Sequence, residues 1–246
     1  MIYKFLPLLI LFPFYVLGQT SLERVPLLFE NKQFKLAEKQ VSEVLKDNPK
    51  NLQAIELLGD AYSHQKKWDA AIEEYNKLVE ADPKNANYHY KYGGALGMKA
   101  LENKMKSIGF IGDVKEAFLT AAELDPNHMG ARWALVELYM QLPGILGGSK
   151  SKALKFANEL EALSKVDGYL SKGYIYEYDD EPELAEKHYK MAVKTGGSLV
   201  CYDKLTQFYL AQDQPQKAIT NLNEAYQKHQ KESLLKQIEA LEDKLQ

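Results

Sequence analysis

The sequence predicts an all-α fold, a right-handed α-solenoid of about six helix-turn-helix repeats with a C-terminal capping helix. Three observations support this class. Small and aromatic residues recur about every 34 residues, apolar residues follow helical periodicity, and no segment alternates apolar and polar residues as a half-buried strand does. Each repeat is expected to bury its apolar face against its neighbours, so the chain needs no single central core.

The N-terminal residues 1–18 are predicted to be a secretory signal peptide. Lys4 supplies a positive charge, residues 5–17 form an apolar run, and cleavage is expected before Gln19. The run is shorter than the roughly 20 apolar residues of a membrane-spanning helix. An uncleaved N-terminal anchor is the alternative. We therefore expect an exported protein, periplasmic or extracellular, without stable membrane insertion after cleavage.

Composition limits the function classes. The chain of 246 residues has 31 Lys and Arg against 34 Asp and Glu, a formal net charge of −3. No basic run is long enough to follow a phosphate backbone, so nucleic acid is not expected as a partner. The single cysteine, Cys201, cannot form an internal disulfide, and the five histidines lack the spacing of a metal site. Neither a cofactor nor a metal is expected.

The second repeat carries the clearest pattern. Its positions are Ile55, Leu58, Gly59, Tyr62, Trp68, Ala71, Tyr75 and Pro83. The small residues are expected where two antiparallel helices cross, and the aromatic residues around that crossing. This pattern closely resembles the tetratricopeptide repeat (TPR). The resemblance implies a scaffold that binds proteins or peptides and assembles complexes, rather than an enzyme.

Five further units follow the pattern less closely, and the predicted array extends over residues 19–229. Their markers are Ala37, Val41 and Pro49 in the first; Gly93, Val114, Phe118 and Pro126 in the third; Leu135, Tyr139, Ala153 and Ala157 in the fourth; Tyr169, Gly173, Tyr176, Ala185 and Tyr189 in the fifth; and Tyr202, Leu205, Tyr209, Ala218 and Ala225 in the sixth. Residues 230–246 then place leucine and isoleucine on one face of a charged helix, as expected of a cap on an open solenoid end.

Two repeats contain insertions, near residues 97–113 and 142–148, because their two helices are spaced farther apart than in the second repeat. Both extra segments fall in the turn between the helices of a repeat, so they are expected side by side on one edge of the array. The first is expected to lengthen its first helix by two to three turns. Asp113, with Glu116, is expected to cap the helix that follows.

The inserted edge is one candidate binding site. Its residues are Phe110, Ile111, Pro143, Gly144, Ile145, Leu146 and Lys150. Two interpretations stay open: Ile145 and Leu146 pack against Phe110 and Ile111, or the edge forms an apolar, glycine-lined patch for a partner. The second insertion also resembles a Pro-Gly-rich loop of exported bacterial TPR proteins of unassigned function.

The concave groove is the other candidate site, because the resemblance places the first helix of each pair on the inner face. The residues expected there are Glu56, Asp60, His64, Tyr90, Trp133, Glu137, Tyr174, Glu177 and Gln207. The family's clamp for a peptide carboxylate uses lysines and asparagines at these places, whereas Glu56 and Asp60 occupy two of them here. A basic or sugar-like ligand is favoured over a carboxylate. The alternative is an acidic solvated face with tyrosines packed between helices.

Two other function classes are weighed against a scaffold. A self-associating structural subunit of an envelope assembly would use the inserted edge. A nucleotide-binding or acyl-transfer enzyme would use the loop at Ser149 and Lys150, but no strand precedes that loop and Ser149 suits a helix N-cap. The prediction is a non-catalytic protein- or peptide-binding scaffold of the bacterial cell envelope, able to self-associate.

Overall fold

The computed structural model describes residues 22–102 and 109–245. The predicted signal peptide, residues 1–18, lies outside the described residues, and so do residues 103–108 of the first insertion. Across the described ranges the chain forms helices and turns without a strand. The predicted class, an all-α helical repeat fold that ends in a final helix, is confirmed.

The α-helices of the described part follow one another with short connections. They are α1 (Val25–Glu30), α2 (Phe34–Asp47), α3 (Leu52–His64), α4 (Trp68–Ala81), α5 (Ala86–Glu102), α6 (Ile111–Leu124), α7 (Met129–Gln141), α8 (Lys150–Leu163), α9 (Lys165–Tyr178), α10 (Pro182–Thr195), α11 (Leu199–Ala211), α12 (Pro215–His229) and α13 (Glu232–Glu242). Short 3₁₀ helices span Leu22–Arg24, Gly144–Leu146 and Asp243–Leu245. Pro49, Pro83 and Pro126 each follow a helix end, as a proline that cannot continue a helix should.

The chain forms two compact units, the first ending at Lys67 and the second beginning at Trp68. In the first unit α2 packs on α3, and buried aliphatic residues such as Val41 and Leu58 form its core. In the second unit each helix packs on the next from α4 to α13. Leu135, Leu160 and Phe208 are among its most buried side chains, and they lie on different helices along the unit. The core is therefore distributed along the repeats.

Glycines mark the helix crossings in two repeats of the second unit. A Cβ added at Gly173 on α9 would lie 2.6 Å from the ring of Tyr189 on α10. A Cβ added at Gly93 on α5 would lie 2.9 Å from the Cβ of Ala117 on α6. Since real Cβ atoms do not approach this closely, the helices meet at these distances only because the side chain is absent. The predicted crossing role of Gly93 and Gly173 is confirmed.

Regular turns of the described chain share one backbone geometry. Lys32, Lys66, Asp180 and Asp213 adopt φ values of 54° to 57°. In each case the next residue donates its N–H to a carbonyl near the end of the preceding helix, at 2.8 to 2.9 Å. Residues with a side chain pay a steric penalty in this left-handed conformation, so these turns hold local strain.

The structure tests one of the two expectations for the first insertion in full and the other in part. α5 has 17 residues up to Glu102, against 13 in α7, so the described extension is about one turn. The remainder of the expected extension lies outside the described residues. Asp113 does not cap α6: the helix begins at Ile111, Phe110 holds the N-cap position, and Asp113 lies inside the first turn. Its charge still suits the positive end of the helix dipole.

Candidate functional site

In the second unit α5, α7, α9 and α11, the first helices of their repeats, neighbour one another in this order, and the face they share is the predicted groove. Six predicted groove residues stand on these helices: Tyr90, Trp133, Glu137, Tyr174, Glu177 and Gln207. The other three, Glu56, Asp60 and His64, belong to α3 in the first unit.

Two groove aromatic residues are linked to the neighbouring first helix by hydrogen bonds. The indole Nε1 of Trp133 on α7 donates to Asp167 Oδ1 on α9 at 3.1 Å. Gln141 Nε2 on α7 donates to the hydroxyl of Tyr174 on α9 at 3.3 Å. The Trp133 side chain is also half-buried, and it packs against two clusters of buried core residues, one around Leu135 and one around Leu205. Because both ends of these contacts lie on rigid helices, the groove presents the two rings in a fixed orientation.

Glu137 lies between these two contacts along α7, on the helix face that it shares with Trp133 and Gln141. The Glu137 side chain is exposed, but desolvation by the surrounding helices raises the pKa of its carboxyl, and the Lys204 ammonium of α11 opposes that shift. Burial also raises the pKa of Tyr174, with the Glu137 charge contributing. Among the residues that the structure describes, none donates a hydrogen bond to the Glu137 carboxylate.

The other groove candidates of the second unit are engaged with their own surroundings. The buried hydroxyl of Tyr189 donates to Glu177 Oε2 at 2.6 Å, so this carboxylate is held against α10. The Tyr90 ring is half-buried, 4.9 Å from the His128 ring. Gln207 is exposed and donates to Asp203 at 2.9 Å. Tyr90 therefore fits the alternative of a tyrosine packed between helices, whereas Trp133, Glu137 and Tyr174 form the polar and aromatic part of the groove.

In the first unit, His64 belongs to an aromatic cluster. Its ring stacks on Phe34 with centroids 4.4 Å apart and an interplanar angle of 2°, and the Phe29 ring approaches edge-on at 5.6 Å. Glu56 and Asp60 are half-buried one turn apart on α3. The first unit thus places its aromatic surface at the end of α3, beyond its two acidic candidates.

The second insertion is an ordered loop. The Gly148 N–H donates to the Pro143 carbonyl at 3.1 Å, and the Ser149 N–H donates to the Tyr139 carbonyl at 2.8 Å. Gly147 has φ of 96°, and a Cβ added at Gly148 would lie 1.8 Å from the Leu142 carbonyl oxygen. Both glycines are therefore required by the loop geometry. Ser149 caps α8, as predicted, by accepting from the Lys152 N–H.

Ile145 is 94% exposed at the tip of this loop. Phe110, by contrast, is half-buried against the core. The interpretation that Ile145 packs against Phe110 and Ile111 is therefore wrong, because the 3₁₀ helix Gly144–Leu146 turns this side chain into solvent. The neighbouring Pro143 and Gly144 are exposed, while Leu146 and Ile111 are half-buried.

Lys150 lies in the first turn of α8 and is held by the next repeat. Its ammonium bonds to Asp179 and Glu181, in the turn between α9 and α10, and lies 5.2 Å from the centroid of the Tyr176 ring. The hydrogen bonds to Asp179 and Glu181 raise the pKa of Lys150. Lys150 therefore links the inserted loop to the neighbouring repeat.

Sequence reasoning missed the partners that hold the groove aromatics, Asp167 and Gln141. The signal that could have found them is the repeat length. Trp133 and Asp167 are separated by 34 positions, and Gln141 and Tyr174 by 33. Residues one repeat apart meet across neighbouring first helices, so polar residues at this spacing are candidates for lateral hydrogen bonds.

Two further properties concern the described ranges alone. Within residues 22–102 and 109–245, no group of three His, Cys, Asp or Glu side chains is placed to hold a metal ion. None of the helices in this described part has the length and apolar character to cross a membrane.

Comparison with known sequences identifies the repeat. Residues 28–93 match the tetratricopeptide repeat family. A DnaJ protein P58IPK homolog of Arabidopsis thaliana is 30% identical over 131 residues, which is 51% of this chain and 26% of the relative. The chain thus spans 26% of that relative's length.

Solved structures share the fold at low sequence identity. A thermophilic TPR protein of Thermus thermophilus has a TM-score of 0.57 at 18% identity, covering 77% of this chain and 98% of its own. PilW, a widely conserved type IV pilus biogenesis factor, has a TM-score of 0.61 at 15% identity, with coverage of 87% and 94%. YrrB, a TPR protein with an unusual peptide-binding site, has a TM-score of 0.50 at 17% identity, with coverage of 72% and 85%.

These matches agree with the helix pairs described above. Residues 28–93 carry tetratricopeptide repeats, and the helical array of the chain shares the fold of solved TPR structures. Proteins of this class are generally non-catalytic scaffolds that bind proteins or peptides.

Proposed function

We propose that this protein is a non-catalytic scaffold of the bacterial cell envelope that binds an extended protein segment in the groove of α7, α9 and α11. The segment carries a cationic side chain. The observation that supports this proposal is Glu137, an exposed carboxylate between two fixed aromatic residues, Trp133 and Tyr174.

The chemistry of the groove favours a cation for two reasons. The Glu137 carboxylate is exposed and accepts no hydrogen bond from the described residues, so it can pair directly with a ligand ammonium or guanidinium. The faces of tryptophan and tyrosine rings also attract cations. Because Trp133 and Tyr174 are already held by Asp167 and Gln141, little side-chain entropy is lost when a ligand binds.

Glu137→Gln tests the groove. This change keeps the size of the side chain and removes its charge, so we expect lysine- and arginine-containing peptides selected on a peptide array to bind at least tenfold more weakly. The matched control is Glu123→Gln, an exposed acid on α6, which should bind as the wild type does. Equal affinity of the Glu137→Gln variant and the wild type would contradict the proposal, as would wild-type binding to glycans alone.

Export is a second part of the proposal, and it rests on the charge and apolar run of residues 1–18. When the full chain is produced in a bacterial host, the mature protein should begin at Gln19 and lie in the periplasm or the medium. N-terminal mass spectrometry of fractionated cells measures this directly. An intact Met1 on protein retained in the cytoplasm would contradict export.

Self-association through the inserted edge is a second candidate function, favoured by the 94% exposure of Ile145 on an ordered loop. If copies of the chain associate there, Ile145→Asp should shift sedimentation-velocity profiles from oligomer to monomer. Leu27→Asp is the matched control, because Leu27 is also an exposed aliphatic residue, at 57%, and lies in the first unit. Identical profiles for the wild type and the Ile145→Asp variant would remove this candidate.

A further inference from the structure

A cavity of about 770 Å³ opens between α10, α11 and α12 of the second unit. Its apolar wall is formed by Val193, Leu205 and the rings of Tyr202 and Tyr209. Asn221 at its base is buried and donates to the Tyr202 carbonyl at 2.8 Å. A volume of this size accommodates a short peptide segment or a comparable small molecule.

Lysines dominate the charge around this cavity. Lys190, Lys194, Lys217 and Lys228 line it, and Glu224 is the acidic residue of the lining. The chain as a whole carries a net charge of −3, so the positive charge of this lining is opposite in sign to the net charge of the protein. A concave site lined by one sign of charge raises the local concentration of oppositely charged ligands.

Two of the four ammonium groups have a carboxylate partner inside the protein. Glu186 accepts from Lys190 at 2.6 Å and from Lys217 at 3.2 Å, and it also accepts from the Tyr209 hydroxyl at 2.9 Å. Lys194 and Lys228 form no ion pair with any residue in the described ranges. These two lysines are therefore available to neutralise charges on a ligand.

The cavity and the groove lie on opposite sides of α11. Tyr202, Leu205 and Tyr209 line the cavity, whereas Lys204 and Gln207 are exposed on the other side of the helix. A step of two residues along an α-helix rotates the side chain by about 200°, which accounts for this separation. A ligand in the cavity thus leaves the groove open.

We propose that this cavity binds an acidic peptide segment in which carboxylate side chains flank an apolar one. The apolar side chain lies against Val193 and Tyr202, and the carboxylates meet Lys194 and Lys228. Lysine is suited to separate carboxylates, because its ammonium is a compact charge on a flexible stem. A free phosphate would use the charges and leave the apolar wall exposed. The protein therefore holds an acidic partner on its outer face in addition to the partner in the groove.

Fluorescence anisotropy with a fluorescein-labelled peptide, a leucine-phenylalanine pair flanked by aspartates and glutamates, tests this site. The wild type should bind the peptide, and the double variant Lys194→Glu, Lys228→Glu should bind it at least tenfold more weakly. The control, Lys155→Glu with Lys236→Glu, makes the same change of net charge at exposed lysines outside the cavity and should bind like the wild type. Circular dichroism verifies that every variant is folded.

The outcomes separate the site from general electrostatic attraction. Equal binding by the wild type and the Lys194→Glu, Lys228→Glu variant overturns the proposal, as does an equal loss in the control variant. Displacement of the labelled peptide by inorganic phosphate as readily as by unlabelled peptide also overturns it, since it identifies a site for small anions. A peptide with serines in place of the apolar pair should bind more weakly than the original. Equal binding of these two peptides excludes the predicted role of the apolar wall.

Discussion

Two connections within helix pairs have different backbone geometries: the regular turn between α9 and α10, and the inserted loop between α7 and α8. Each reverses the chain inside a helix pair, and each is closed by backbone hydrogen bonds to the preceding helix or to the loop itself. The regular turn places Asp180 at φ of 57°. The inserted loop uses Gly147 at φ of 96° and the close approach of Gly148 to the Leu142 carbonyl.

The difference shows where strain can be tolerated in a repeat. A short regular turn accepts a strained aspartate or lysine, because the packing of the two helices determines its ends. The longer loop depends on its own backbone contacts, so the glycines that permit those contacts cannot be exchanged without loss. Its exposed tip, Ile145, is consequently displayed in a defined position.

The largest expected effect is on Gly148. In Gly148→Ala, the new Cβ would overlap the Leu142 carbonyl oxygen at 1.8 Å, so the loop must rearrange. We expect a decrease of about 2 kcal/mol or more in the free energy of unfolding, measured by urea denaturation. The Ser149 amide should also lose protection from hydrogen exchange.

Gly144→Ala is the matched control for this prediction. A Cβ added at Gly144 meets nothing within 4 Å, so this variant should unfold within about 0.5 kcal/mol of the wild type. Equal stability of Gly148→Ala and Gly144→Ala would show that the loop does not require the described backbone approach.

A smaller effect of opposite sign is expected in a regular turn. Asp213, at φ of 54°, has a side chain where glycine adopts the same backbone without steric penalty. Asp213→Gly should therefore raise the free energy of unfolding by about 0.5–1 kcal/mol. Gln212→Gly, next to it at φ of −89°, should give no gain. A loss of stability in Asp213→Gly comparable with that in Gln212→Gly would argue against strain at this turn.

The smallest predicted effect is a pH dependence of the free energy of unfolding, caused by His188 on α10. Tyr176, which carries the Lys150 ammonium near its ring, also stacks on His188 with centroids 5.3 Å apart. Burial lowers the pKa of His188, the charges of Lys172 and Lys187 add to that decrease, and Glu161 opposes it. The Nδ1 atom of His188 is buried without a hydrogen-bond partner among the described residues.

The direction of the pH effect follows from this lowered pKa. In the unfolded chain, His188 takes up a proton as the pH falls below its ordinary pKa of about 6.5. In the folded chain it stays neutral until the pH reaches its lower folded-state pKa, so the unfolded state is favoured in between. The stability contributed by neutral His188 is therefore fully present above about pH 6.5 and decreases as the pH falls from there to the folded-state pKa. Urea denaturation at pH 7.5 and 5.5 should show a smaller loss in His188→Phe than in the wild type. Equal losses would contradict the prediction.

Much of the fold was predictable because repeats carry redundant information. The crossing glycines, the helix-ending prolines and the Ser149 cap depend on residues close in sequence or at a fixed spacing. The groove residues, in contrast, were selected by position alone. Position did not reveal that Tyr189 holds Glu177, or that Tyr90 is half-buried against His128. Those contacts depend on how far each side chain reaches between helices.

By itself, the sequence determined the all-α repeat class, the order of the helix pairs and the two places where the turns lengthen, because apolar periodicity and glycine and proline chemistry act locally. The tertiary structure decided that Ile145 faces solvent, that Lys150 bonds to Asp179 and Glu181, and that four lysines surround one cavity on the outer face. These outcomes join residues from different repeats. Their physical cause is the packing of neighbouring helices, which brings together side chains that no local pattern relates.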